Sequence, residues 1–201
     1  MKTSIKIAVA ALVIASFGFE GCKKGTNDPF LSFHSRKGRV AGDWTLKSGS
    51  GTDVSGSSST TWNFDGSNYS ETDQSGTYTS GLKWTMTFDK DGTFKTVQTA
   101  TSTGMSDVVT ETGTWNFTGK VGDDKNKDHI IMKTLSSQDV YTVGSSSTTS
   151  TDTYTGDNAP SQLYYIDELK NKEMIFTWDG TSNSTPSANS SSSKGTMTLT
   201  Q

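Results

Sequence analysis

Two histidines, one cysteine and two acidic clusters are the side chains of this 201-residue chain best suited to nucleophilic, acid–base or metal chemistry. His34 lies in a basic stretch, and His129 follows Asp128 at the head of an apolar run. A Ser–His–Asp set can be drawn on paper from His129 and the abundant serines. No serine, however, sits in the strand-to-helix elbow that exposes a nucleophile. Asp89-Lys90-Asp91-Gly92 offers two carboxylates, without the third ligand and distal glutamate of a calcium loop. Asp123-Asp124-Lys125-Asn126-Lys127-Asp128 concentrates oxygen ligands, but its two lysines nearly neutralise it. A weak surface Ca²⁺ in loops 89–92 or 123–128 stays open beside the favoured readings, a hairpin turn and a solvated loop. The expectation is a protein that is not an enzyme, with no catalytic residues, no metal and no cofactor.

The cysteine needs its own explanation, because one cysteine cannot form an internal disulfide in an exported domain. Met1-Lys2 with Lys6 makes a basic start, and Ile7 to Phe17 is an apolar run of signal-peptide length, about 7–15 residues. A membrane-crossing helix needs about 20 apolar residues, and Glu20 interrupts before that. Phe19-Glu20-Gly21-Cys22 resembles a bacterial lipobox, in which a small residue precedes a cysteine that becomes lipidated and N-terminal. Gly21 fits that pattern; Phe19 and Glu20 depart from its usual Leu and Ala or Ser. The resemblance implies removal of residues 1–21 and lipidation of Cys22. Two acyl chains already anchor a protein stably, each buried CH₂ contributing about 0.8 kcal/mol. Lys23-Lys24 lacks the aspartate after cysteine that would imply inner-membrane retention. The expected address is therefore the outer membrane, on its periplasmic or cell-surface face.

Residues 22–40 carry Lys23, Lys24, Arg36, Lys37 and Arg39 against Asp28, with Gly25, Pro29 and Gly38 breaking any periodicity. They read as a flexible basic tether, and residues 41–201 as one domain. The formal net charge of −3 argues against nucleic acid as a partner.

That domain is poor in aliphatics and rich in Ser and Thr, yet its aromatic residues alternate. Leu82, Trp84, Met86 and Phe88 share one face; so do Met174, Phe176 and Trp178, Trp115 with Phe117, and Trp62 with Phe64. Period two is the mark of a half-buried strand. About nine or ten such strands can be placed, with no amphipathic helix beyond the signal. Up-and-down order predicts an all-β, antiparallel barrel of about 8–10 strands, because closure removes exposed edges; a β-sandwich is the alternative. Three Ser-rich stretches (Ser55–Thr60, Ser145–Thr151, Ser182–Ser193) read as loops.

Gly42-Asp43-Trp44 resembles the Gly-x-Trp with which lipocalins begin their first strand. Trp84 to Phe94, Gly113-Thr114-Trp115 and Tyr165 to Phe176 are similar to later pieces of the lipocalin-like domains of bacterial lipoproteins. The resemblance runs over most of residues 40–201 and implies a barrel closed at one end by Trp44. Lipocalins usually pack an arginine from a late strand over that tryptophan. The only arginines here are Arg36 and Arg39, so the closure is missing or replaced, with Lys194 as a substitute.

Two function classes follow. In the first, a membrane-anchored barrel binds a small apolar or amphipathic ligand on its inward aromatic face. That face comprises Trp62, Phe64, Trp84, Phe88, Trp115, Phe117, Phe176 and Trp178, most of which also serve as core. In the second, the protein is a non-catalytic structural or interaction subunit of an outer-membrane assembly. Tyr69, Tyr78, Tyr141, Tyr154 and Tyr164 would then make the contacts, with a protein partner not identified by sequence.

Overall fold

Alternation of apolar and polar residues decides which side of each strand turns inward, and neighbouring strands agree on that side. The computed structural model describes residues 27–29, 34–119, 127–183 and 190–201. After a short helix α1 (Arg36–Val40) come eleven strands: β1 (Gly42–Ser55), β2 (Ser58–Phe64), β3 (Asn68–Asp73), β4 (Gly76–Phe88), β5 (Thr93–Ser102), β6 (Met105–Phe117), β7 (His129–Val143), β8 (Ser146–Thr153), β9 (Ser161–Leu169), β10 (Glu173–Asn183) and β11 (Ser190–Thr200). All pairings are antiparallel, and β6 pairs with β7 to close the ring through every strand but β8. The expected antiparallel barrel is the fold, and closure excludes the sandwich.

The ring does not have the same number of strands along its height. At its base, Gly42–Thr45 of β1 pairs directly with Thr85–Phe88 of β4. Above a bulge between Leu46 and Ser48, β1 turns to β2 instead, pairing from Gly49 to Ser55. The β2–β3 hairpin is thus a wedge driven into the upper wall only. The base is ringed by β1, β4, β5, β6, β7, β9, β10 and β11. Pairing between β9 and β10 stops at Tyr165–Thr177, so the wall also parts on the opposite side. Barrel diameter grows with strand number, and eight strands are just narrow enough for side chains to fill.

Packing follows that geometry. Trp44, Leu46, Met86, Phe88, Phe94, Trp115, Ile130, Ile166, Leu169, Met174, Phe176 and Leu199 are buried together in the base. Phe88 meets Trp115 and Phe176 edge-on, with ring centroids 5.7 and 6.4 Å apart. Each such pair is worth about 0.5–1.5 kcal/mol beyond area burial.

Two expectations need correction. The Ser-rich stretches contribute strand, not only loop: Ser58 opens β2, Ser146–Thr153 is β8, and Ser190 opens β11. β8 is exposed along its whole length and is ordered by its pairing with β7. The hairpin turns at that end are two residues long, as at 103–104 and 144–145.

The second correction concerns the tether, which in its described residues is folded and closes the base. Arg36 and Arg39 are only 4% and 2% exposed. Arg36 donates to Asp128 at 2.9 Å and to the Ile166 carbonyl at 3.2 Å. Arg39 donates to Asp28 at 3.0 Å and to the Leu169 carbonyl. Asp28 also accepts from the Leu169 N–H at 2.9 Å, and Trp44 Nε1 donates to the Val40 carbonyl at 2.8 Å. Burial lowers the pKa of Arg36, while Asp28 and Asp128 favour its charged form. The closing arginines therefore come from α1, before the first strand. Lys194, the expected substitute, is exposed on the upper part of β11 beside Thr52. Cys22 lies outside the described residues.

Removing one partner from a buried charge network strands the others, at a cost of about 3–5 kcal/mol. Asp28→Ala should lose stability on that scale in urea unfolding. A loss within about 0.5 kcal/mol, typical of surface substitutions, would show that the segment is not part of the fold.

Candidate functional site

Above the packed base the interior changes character one layer at a time. The first layer is aromatic. Trp62 on β2 and Trp178 on β10 have two strands between them, which place Gly51 of β1 and Gly195 of β11 in register with the indoles. Without side chains on those glycines the indoles lean together and stack, centroids 5.9 Å apart and planes within 9°. A Cβ on Gly51 would stand 2.5 Å from Trp62 Nε1, and one on Gly195 2.4 Å from Trp178 Cζ2. Tyr69 extends the stack from Trp62, and Tyr164 meets Trp178 edge-on. Trp178 Nε1 donates to Ser193 Oγ at 3.0 Å. Burial, reinforced by the charge of Glu111, pushes the Tyr164 hydroxyl up to about 12, so it stays protonated at any physiological pH.

The second layer is open and acidic. A cavity of about 410 Å³ runs between β3, β4, β5, β6 and β7, walled by Tyr69, Tyr78, Leu82, Met105 and Tyr141 with Glu71 and Asp107. A companion hollow of about 440 Å³ lies toward β1, β2, β10 and β11, against Trp178, Asp53 and Gln162. Both volumes fall within the usual range for small-molecule sites, about 300–1,000 Å³. Tyr69 donates to Glu71 at 2.9 Å, and the buried phenol beside that carboxylate resists ionisation. Asp107 on β6 and Asp139 on β7 lie diagonally across the sheet, Asp107 opposite Tyr141 and Val109 opposite Asp139. Desolvation and a hydrogen bond with Asp139, reinforced by its charge, raise the pKa of Asp107. Trp84 Nε1 is buried without a hydrogen-bond partner among the described residues.

The residues singled out from sequence divide between the two regions. Trp44, Phe64, Phe88, Trp115 and Phe176 are buried core. Phe117 packs edge-on against Trp115 at the base. Trp62, Trp84 and Trp178 are half-buried in the upper layer. Tyr69, Tyr78 and Tyr141, expected on loops and edges, line the cavity, and the inward carboxylates were not anticipated. Extending the period-two parity of Trp115 back along β6 leads to Asp107, so the signal was present in the spacing.

Of the two loops left open for a weak Ca²⁺, only 89–92 is described throughout. Asp91 Oδ1 accepts from the Thr93 N–H and hydroxyl, at 2.9 and 2.7 Å, which lowers its pKa and fixes the hairpin turn. Asp128 is engaged by Arg36, and residues 123–126 lie outside the described part. Among the described residues no three His, Cys, Asp or Glu side chains converge on one point. His129 is buried against the Tyr165 ring, 5.3 Å between centroids. No family model, no curated protein and no solved structure matches the chain.

Two predictions follow from these layers. Gly195→Ala or Gly51→Ala must push an indole aside, and overpacking of this kind costs about 1–3 kcal/mol. Both should lower the unfolding midpoint and shift tryptophan emission to the red; an unchanged spectrum would show that the stack is not formed. The second concerns Asp107, whose folded pKa is raised above its unfolded value. Its ionisation then opposes folding at neutral pH, and that penalty disappears as pH falls below the unfolded pKa. Asp107→Asn should therefore raise the melting temperature at pH 7, and the gain should fade on acidification toward pH 4. A destabilised variant at pH 7 would refute this assignment.

Proposed function

We propose that this protein is a membrane-anchored, lipocalin-like lipoprotein whose barrel holds a small ligand in its upper half. The observation that carries the reading is the division of the interior into a filled base and an open cup. A barrel needed only as a stable spacer gains nothing from leaving its upper half unfilled. The half-buried aromatics at the floor and the polar groups above it make the usual composition of a small-molecule site, an apolar surface with a few orienting polar groups. On this reading Cys22 carries the lipid, the outer membrane is the address, and the protein binds without catalysing. The Gly-x-Trp at Gly42-Asp43-Trp44 supports the lipocalin-like assignment, since Trp44 sits at the closed end and bonds the helix that seals it.

A second reading rests on a separate surface. Ile131, Leu135 and Leu163 are 37%, 37% and 42% exposed on β7 and β9, and Ile131 and Leu163 are directly paired. An outward apolar group of this kind suits a subunit docked in an envelope assembly.

Native mass spectrometry of the protein from Lys23 onward, exported from its own host without Cys22, separates the two. A reproducible extra mass lost on denaturation is the expected result. A clean apo mass, with the protein co-purifying in a stable complex, would favour the interaction subunit. The address has its own test: Cys22→Ala should release the full-length protein from the membrane fraction. Banding of the wild type with inner-membrane markers would overturn the outer-membrane assignment.

A further inference from the structure

We infer that the cup selects an organic cation, an amine or quaternary ammonium carrying an apolar or aromatic arm. This deepens the reading above and rests on it. Three independent features of the cavity point the same way.

The first is the sign of its charge. Inward positions on the upper strands hold Asp53, Glu71, Asp107, Glu111 and Asp139, reached by counting alternate residues from buried Phe64, Met86 and Trp115 through the observed registers. The lysines of those strands fall on the other parity: Lys83 between Leu82 and Trp84, Lys95 between Phe94 and Thr96, Lys194 between Ser193 and Gly195. No Lys or Arg faces the cup among the described residues. A concave, low-dielectric site lined by one sign focuses its field on incoming ions of the opposite sign. Fatty acids and other anions are disfavoured for the same reason.

The second is crowding of like charge. Glu71 is engaged by the Tyr69 hydroxyl, whereas Asp107 and Asp139 lie within hydrogen-bond reach of each other across β6 and β7. Two carboxylates held together cannot both ionise without cost, so a ligand that brings positive charge would relieve a cost already built in. The carboxylates do not converge three at a time, which suits an extended organic cation better than a metal ion.

The third is the aromatic lining. Tyr69, Tyr78 and Tyr141 face the same cavity as Glu71 and Asp107. Ring faces attract cations through their quadrupole, and they also cover an apolar arm. Met105, whose sulfur accepts from the Tyr141 hydroxyl at 3.2 Å, adds an adaptable apolar wall.

The test is calorimetric titration of the purified protein with three probes that share one arm: 4-phenylbutylammonium, 4-phenylbutanol and 4-phenylbutyrate. The ammonium should bind about tenfold or more tighter than the alcohol, and the carboxylate weakest. Glu71→Gln with Asp107→Asn should cut that advantage severalfold, the ammonium losing more affinity than the alcohol. Both substitutions are near-isosteric, and a melting curve of the double variant confirms that it is folded. Equal binding of all three probes, or a preference left undiminished by the double substitution, would overturn the cation assignment while keeping the cup as a ligand site. No binding by any of the three would count against both the assignment and the ligand-site reading.

Discussion

The change of partner by the first strand is the constraint on which the rest of this barrel depends. Over Gly42–Thr45 it is bonded to β4, and from Gly49 onward to β2. A bulge at Leu46/Ser48 lets it make that change, since an extra residue bends a strand and increases its twist. Everything below the bulge belongs to a narrow ring whose opposite walls touch through side chains. Everything above it belongs to a wider wall whose side chains cannot span the gap. The same strands therefore form a solid core at one end and a receptacle at the other.

Different forces hold the two ends. The base combines close-packed aromatics and methionines with the charge network of Asp28, Arg36, Arg39 and Asp128. That network does for the bottom of the barrel what apolar packing does for its middle. It occupies the helix and strand ends, satisfies the carbonyls of Ile166 and Leu169, and excludes water. Among the described residues the upper half has no comparable cluster. Its strands are held by backbone ladders, by Thr–Thr and Thr–Ser contacts such as Thr72 with Thr77, and by the aromatic layer beneath. Few buried apolar contacts and many solvent-exposed backbone bonds are the features of a region that opens locally at lower free energy. A binding cup is well served by walls of that kind.

Much of this was legible in the residues. The run Leu82–Trp84–Met86–Phe88 and the pairs around Trp115 and Trp178 assign strand, face and core without a structure, because period two admits no other regular element. What stayed hidden depended on long-range registry. Arg36 looks like a solvated charge in a basic stretch, and only the fold brings it to Asp128, 92 positions away. Ser146–Thr153 reads as loop because its order comes from pairing with β7 rather than from any buried side chain of its own. The wedge could not be read at all, since strand count says nothing about where two strands first meet. Glu71 and Asp107 fall on the parity of the core residues, and a register shift in β7 brings Asp139 to the same side, yet a carboxylate in a Thr-rich strand is ordinarily taken as solvent-facing.

Native-state hydrogen exchange measures the division of the barrel most directly. Protection should show a step along each long strand. Amides of the base, around Trp44, Met86, Trp115 and Phe176, should exchange only through global unfolding. Those beyond Trp62 and Trp178 should exchange through smaller openings and slow when the cup is filled. Uniform protection from one end of the strands to the other would contradict it, because the barrel would then be a single packed unit with no separate cup.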